Sequence, residues 1–156
     1  MRTLLSILAV AFALFASTAA FADSNEINLK KPGLFGGTYK QALNGYDSTS
    51  YFAASGPVKG KKDFALEYKG TTWLFASAEN LAKFEADPSK YAPQYGNYCA
   101  YALGNGYLAA GDPEVWEIVD GKLYLNYNRD VQKKWQADQA PLIDSANGHW
   151  PTILKK

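Results

Sequence analysis

The chain has 156 residues, with 16 basic and 15 acidic side chains, one cysteine and one histidine. So even a balance, with no basic stripe, argues against nucleic acid as a partner. One thiol excludes an internal disulfide, and one Cys with one His excludes a tetrahedral zinc site of the Cys/His type.

In chain order the first feature is Arg2, followed by an uncharged apolar run from Leu4 to Ala16 and then Ala20-Phe21-Ala22. A positive start, an apolar run and a small-x-small pattern predict a secretory signal peptide over 1–22. The run is shorter than the ~20 apolar residues a membrane span requires. The expected mature chain starts at Asp23, is periplasmic or secreted, and has no membrane association once the signal is removed. Loss of Arg2 leaves 15 basic against 15 acidic residues. Residues 23–41 read as a lead, broken by the turn-rich KKPGLFGG. Residues 42–156 read as one domain, long enough to bury a core without disulfides.

Within that domain, Asn44-Gly45 marks a turn, and Tyr51 and Phe52 open a short apolar stretch ending at Gly56-Pro57. FALEYKGTTWLFAS predicts a hairpin turning at Lys69-Gly70. That register pairs Leu66 with Trp73 and Phe64 with Phe75, all on one face. Ser77 is the expected N-cap of a helix ending near Pro88, with Glu79 in its first turn and a Glu79–Lys83 pair outside. Leu81 and Phe84 are expected to face the core. YCAYAL predicts one or two helical turns, stopped by Gly104 and Gly106. VWEIVDGKLYLNYN predicts a second hairpin turning at Asp120-Gly121, pairing Trp116 with Leu125 and Ile118 with Leu123. Asn128 caps a further helix carrying Val131 and Trp135. Residues 140–154 read as a short helix and a terminal stretch. A shift of 51 residues superposes the turns, the caps Ser77 and Asn128, and the helix anchors Phe84 and Trp135. It aligns the apolar faces of the hairpins less well. The fold class expected is α+β, antiparallel hairpins packed against short helices in a single domain.

Cys99 lies in YGNYCAYAL, among Tyr95, Tyr98 and Tyr101. An unpaired thiol in an oxidising compartment is a reactive group, an intermolecular pairing site, or a small core hydrophobe. Tyrosine rings exclude water from a thiol, while their hydroxyls can hydrogen-bond a thiolate or ligand. Burial without a cationic neighbour is expected to raise the thiol pKa. His149 is the one histidine; a Cys99–His149 nucleophile pair has no supporting motif, so no catalytic residue is assigned. Cys99 and His149 are the candidate soft-metal ligands, with copper the metal that accepts so small a set.

NGYDSTSYF, YKGTTWLFASAENLAKFEADPSKYAPQYGNYCAYA and DGKLYLNYNRDVQKKWQAD resemble the exported branch of the YHS-domain family. Metal-handling modules of that family carry cysteines after an Asp-Pro pair and in a Phe-Cys-x-x-x-Cys segment. Those places here are Ser50, Ala76 and Asn80. The exported branch's Gly-Tyr-Asp-Pro-Val-Ala-Tyr-Phe motif stands as Gly45 to Phe52, with Ser48 in place of proline. Its Tyr-Cys-Ala-Tyr-Ala motif is met from Tyr98 to Ala102. Some relatives are described as selenoproteins, which implies a reactive chalcogen in this branch.

Three readings follow. The first is a periplasmic module that binds copper or a small ligand around Cys99, with Tyr46, Asp47, Tyr95 and Tyr98 lining the site. The second is a single-cysteine thiol redox protein served by a periplasmic redox partner. The third is a structural or interaction domain with an inert core cysteine.

Overall fold

Two antiparallel hairpins, each followed by a capped helix, organise residues 61–137. The computed structural model describes residues 26–155; the expected signal peptide lies outside the described residues. Strands β1 (Lys61–Tyr68) and β2 (Thr71–Phe75) form the first hairpin, and helix α1 (Ala78–Ala86) follows. A short α2 (Pro88–Tyr91) and α3 (Ala100–Gly104) lead to the second hairpin, β3 (Asp112–Val119) and β4 (Lys122–Asn126). Helices α4 (Arg129–Ala137) and α5 (Gln139–His149) complete the order. Among the described residues no helix is long and apolar enough to cross a membrane. This is the α+β architecture that the alternation of hairpin and helix patterns implies.

Local chemistry accounts for each element. Both hairpins turn on two residues of positive φ, Lys69-Gly70 (50° and 69°) and Asp120-Gly121 (50° and 70°). That geometry matches the twist of the flanking strands. Leu66 pairs with Trp73, Trp116 with Leu125 and Ile118 with Leu123, as the alternation predicts. Phe75 lies opposite Lys61 and not Phe64, because the register shifts between Lys61 and Ala65. The same irregularity falls between Asp112 and Trp116 in the second hairpin. The inserted residues bend the strand and remove the simple two-residue count. The Ser77 hydroxyl accepts from Asn80 N, and the Asn128 side chain accepts from Val131 N. Each supplies one of the acceptors that the first helical turn lacks. Glu79 and Lys83 pair at 2.7 Å on the exposed face of α1.

The 51-residue relation is structural. Lys61–Tyr68 maps onto Asp112–Val119, Thr71–Phe75 onto Lys122–Asn126, and Ala78–Ala86 onto Arg129–Ala137, end to end. Upstream of the hairpins the offset is 52. Leu43, Asn44 and Gly45 have φ of 52°, 53° and 74°; Tyr95, Gly96 and Asn97 have 61°, 55° and 71°. A 3-10 turn over Ser48–Phe52 then corresponds to α3, Ala100–Gly104. The chain therefore contains two copies of one unit: left-handed turn, short helix, hairpin, capped helix.

Packing explains why the hairpin faces align poorly. In β2 burial alternates, with Thr71, Trp73 and Phe75 buried. In β4 Leu123, Tyr124, Leu125 and Asn126 are all buried. Leu123 and Leu125 join the first unit's core with Trp73, Phe75 and Phe84, whereas Tyr124 joins Trp135, Tyr95 and Leu103 in the second. A strand covered on both faces has no polar face to preserve the pattern of its copy.

Candidate thiol site

The unit places one residue, just after its left-handed turn, under the start of the short helix and beside the end of the second strand. In the first copy that residue is Asp47, in the second Cys99. Asp47 N donates to Val58 O at 2.9 Å, and Cys99 N donates to Ala109 O at 2.9 Å. Gly60 N and Gly111 N close the same loop onto Gly45 O and Asn97 O, both at 2.9 Å. Both side chains are buried, Asp47 at 0 % and Cys99 at 1 % exposure.

Asp47 is held in a full set of donors. Its Oδ1 accepts from Thr49 N at 2.9 Å and Thr49 Oγ1 at 2.7 Å. Its Oδ2 accepts from Ala76 N at 2.8 Å and Asn80 Nδ2 at 2.7 Å. A buried carboxylate needs such a set, because an unpaired charge away from water is costly.

Cys99 sits among the equivalent groups. Burial pushes the Cys99 thiol above its ordinary value, and the backbone amides of Ala102, Tyr127 and Tyr101 oppose that shift. Tyr101 N matches Thr49 N by the 52 offset, and Tyr127 N matches Ala76 N by the 51 offset. The sulfur makes no cap hydrogen bond to α3 of ordinary geometry. Asn126 completes the site: its Oδ1 accepts from Tyr101 N at 3.2 Å and lies 3.7 Å from Cys99 Sγ. Its Nδ2 is buried and has no partner. Tyr107, half-exposed, is near enough that charge on Cys99 raises its phenol, after the effect of desolvation.

Tyr46, Asp47, Tyr95 and His149 direct their side-chain hydrogen bonds to groups other than the sulfur. Tyr46 donates its hydroxyl to Glu114 at 2.8 Å, and Lys59 Nζ sits 3.7 Å above its ring. Tyr95 gives its hydroxyl to Asn147 Oδ1 at 2.9 Å, and its ring meets those of Tyr124 and Trp150. Tyr98 places its ring 5.9 Å from that of Trp150. His149 ends α5, with Nε2 3.5 Å from Ser145 Oγ. Tyr95 thus joins a Trp150-centred cluster, and Asp47 is committed to the first unit's donors. Asn126 and Tyr107 were not among the sequence candidates. For Asn126 a signal exists: it takes the place of buried Phe75 under the 51 offset, a polar residue at a core position. For Tyr107, two glycine breaks away, no comparable signal exists.

The metal chemistry of the first unit is readable from the same contacts. Ser50 Oγ donates to Asp47 O at 2.6 Å, and Ala76 and Asn80 both bond the Asp47 carboxylate. Ser50, Ala76 and Asn80 therefore converge on Asp47. They present an alcohol, a methyl and an amide around a saturated carboxylate, a set that does not fit a soft metal. Among the described residues no three His, Cys, Asp or Glu side chains gather as a metal-binding group.

The chain matches no curated protein and no solved structure. Residues 50–95, from the short helix after Asp47 to the second left-handed turn, match the family model of the YHS domain.

Proposed function

We propose that the chain is an exported single-cysteine thiol module in which Cys99 is the reacting group and a partner protein or small thiol restores it. The observation that carries this reading is positional: buried Cys99 stands where the first unit holds the Asp47 carboxylate, its amide bonded to Ala109 O as that of Asp47 is to Val58 O. A site that holds an anion in one copy offers the thiolate the same support in the other. Burial opposes it, so reactivity at neutral pH is slow. The sequence has no second cysteine to resolve an oxidised sulfur, so reduction requires a partner. Export is supported by Arg2, the apolar run to Ala16 and Ala20-Phe21-Ala22.

The YHS-domain match supports an alternative, copper or small-ligand binding, since metal binding is associated with that domain. It competes poorly on ligand chemistry. Cys99 lies outside the matched segment, and that segment contains no cysteine or histidine. Alkylation of the folded protein separates the readings. The thiol reading expects slow native labelling whose rate climbs with pH and ignores chelators. Labelling only after chelation indicates a metal site. Labelling only after denaturation indicates an inert core cysteine and ends the proposal.

A further inference from the structure

We infer that the chain docks on anionic lipid surfaces through the loop of residues 30–40, with Leu34 and Phe35 entering the headgroup layer and the lysines behind them meeting lipid phosphates. The thiol reading above is independent of this contact. The expectation of no membrane association after signal removal gives way to a peripheral one.

The lead segment folds back on itself as a small antiparallel loop. Lys30 bridges Thr38, Tyr39 N donates to Leu29 O at 2.6 Å, and Lys31 N donates to Gly37 O at 3.0 Å. Gly36 N donates to Gly33 O at 3.3 Å and closes a turn whose two central residues are Leu34 and Phe35. Turn centres ordinarily carry Gly, Pro, Asn, Asp or Ser. Here two large apolar side chains stand 92 % and 95 % exposed, while the other exposed ones, Val58, Tyr107 and Leu108, reach at most 50 %. The loop is fixed in place. Gly33 N donates to the Tyr127 hydroxyl at 2.6 Å, and a Cβ on Gly36 would collide with the Lys31 carbonyl. A tip held this way loses little conformational freedom when its side chains are buried against a partner.

Charge identifies the partner. Lys30, Lys31 and Lys40 are exposed, and among the described residues none of them is ion-paired. Alternation along extended chain sends Lys30 and Lys31 to opposite faces of the loop. Lys31 stands three residues before Leu34, at most about 10 Å along the chain. Apolar groups of interfacial segments sit roughly 5–10 Å into the boundary between headgroups and acyl chains. Insertion of the tip therefore brings the lysines level with the phosphates, where each cation adds attraction to an anionic leaflet. The carboxylates that act on Tyr39, at the base of the loop, are Asp112 and Glu114. Asp112 accepts from Glu114 N, and Glu114 accepts from the Tyr46 hydroxyl and interacts with Lys59. An apolar groove on a protein would accept Leu34 and Phe35 but has no use for three unpaired cations around them. Two apolar side chains and three cations give a reversible contact, not an anchor.

The test is flotation of the purified, processed chain with phosphatidylcholine vesicles, with and without phosphatidylglycerol. Binding is expected on the anionic vesicles, weaker at high salt. It should fall about tenfold or more in Leu34→Ser/Phe35→Ser and in Lys30→Ser/Lys31→Ser. The first pair of substitutions should leave the melting temperature unchanged, since both side chains already stand in water. Equal binding of the parent chain and Leu34→Ser/Phe35→Ser overturns the inference, as does equal binding to neutral and anionic vesicles. Absence of vesicle binding overturns it too. If light scattering then shows a dimer that Leu34→Ser/Phe35→Ser dissolves, the tip seats in a second copy of the chain instead. None of these outcomes bears on the labelling of Cys99.

Discussion

Asp47 and Cys99 occupy the same place in two copies of one unit, each bonded through its amide to a loop carbonyl at 2.9 Å. The carboxylate ties together the short helix that follows it, the end of β2 and the start of α1, through Thr49, Ala76 and Asn80. Asp47→Ala would strand those donors in a dry interior. The expected loss is about 3 kcal/mol or more in urea melts. A loss under about 1 kcal/mol would mean that water reaches the site and that the bonds do not hold the unit together.

The helix anchors give a second pair. Phe84 and Trp135 are both fully buried, Phe84 against Trp73, Phe75 and Tyr68, and Trp135 against Tyr124. Phe84→Ala and Trp135→Ala should each destabilise by about 3–5 kcal/mol. Because they sit in separate clusters, their effects should add within about 0.5 kcal/mol in the double variant. Strong non-additivity would show that the two cores unfold as coupled layers through β4.

The legibility of this protein follows the range of the forces involved. Turns, caps and helix anchors are set by residues within one or two turns of chain, and Lys69-Gly70, Asp120-Gly121, Ser77 and Asn128 all act where the sequence places them. The Lys61–Ala65 irregularity was not readable, since no glycine or proline marks it and only the cross-strand fit reveals it. Nor was the full correspondence of the two units. The offset changes from 52 to 51 between Cys99 and Ala109, and the core residues that correspond, such as Leu43 and Tyr95 or Tyr51 and Leu103, share burial but not chemistry. For the same reason Tyr46, Asp47, Tyr95, Tyr98 and Cys99 read as one candidate site: they adjoin matching turns, which the fold keeps as two places.

Close backbone approach at Gly111 gives a third expectation. A Cβ there would meet Asn97 O at 2.6 Å and Leu125 Cβ at 2.8 Å. Neither neighbour is the end of a flexible side chain. Gly111→Ala should therefore cost about 1–3 kcal/mol by overpacking. Gly148, in α5, faces nothing within 4 Å, and Gly148→Ala should stabilise by about 0.5–1 kcal/mol through helix propensity. Equal effects of the two substitutions in chemical denaturation would show that the loop around Cys99 shifts freely, against the close fit of Gly111.

Alkaline stability is the last expectation. Tyr51 is buried, donates its hydroxyl to Pro113 O at 2.9 Å, and has its phenol raised far above the ordinary value of 10.0, chiefly by desolvation. Tyr95 is raised in the same direction, first by desolvation, and Tyr39 is pushed up to about 12. The fold thus keeps protons that the unfolded chain releases, so stability falls with pH over that interval. The contribution is complete below the ordinary value and is lost as pH rises from there through the folded values. Tyr51→Phe removes the most deeply buried of these groups. At neutral pH it should cost about 1 kcal/mol for the lost hydrogen bond. Above the ordinary tyrosine range its stability should fall less steeply than that of the parent chain, so the two curves converge. Urea melts across neutral and alkaline pH, with ultraviolet titration of the phenols, provide the check. Parallel curves would mean that Tyr51 ionises as readily in the fold as outside it, contrary to its burial between the units.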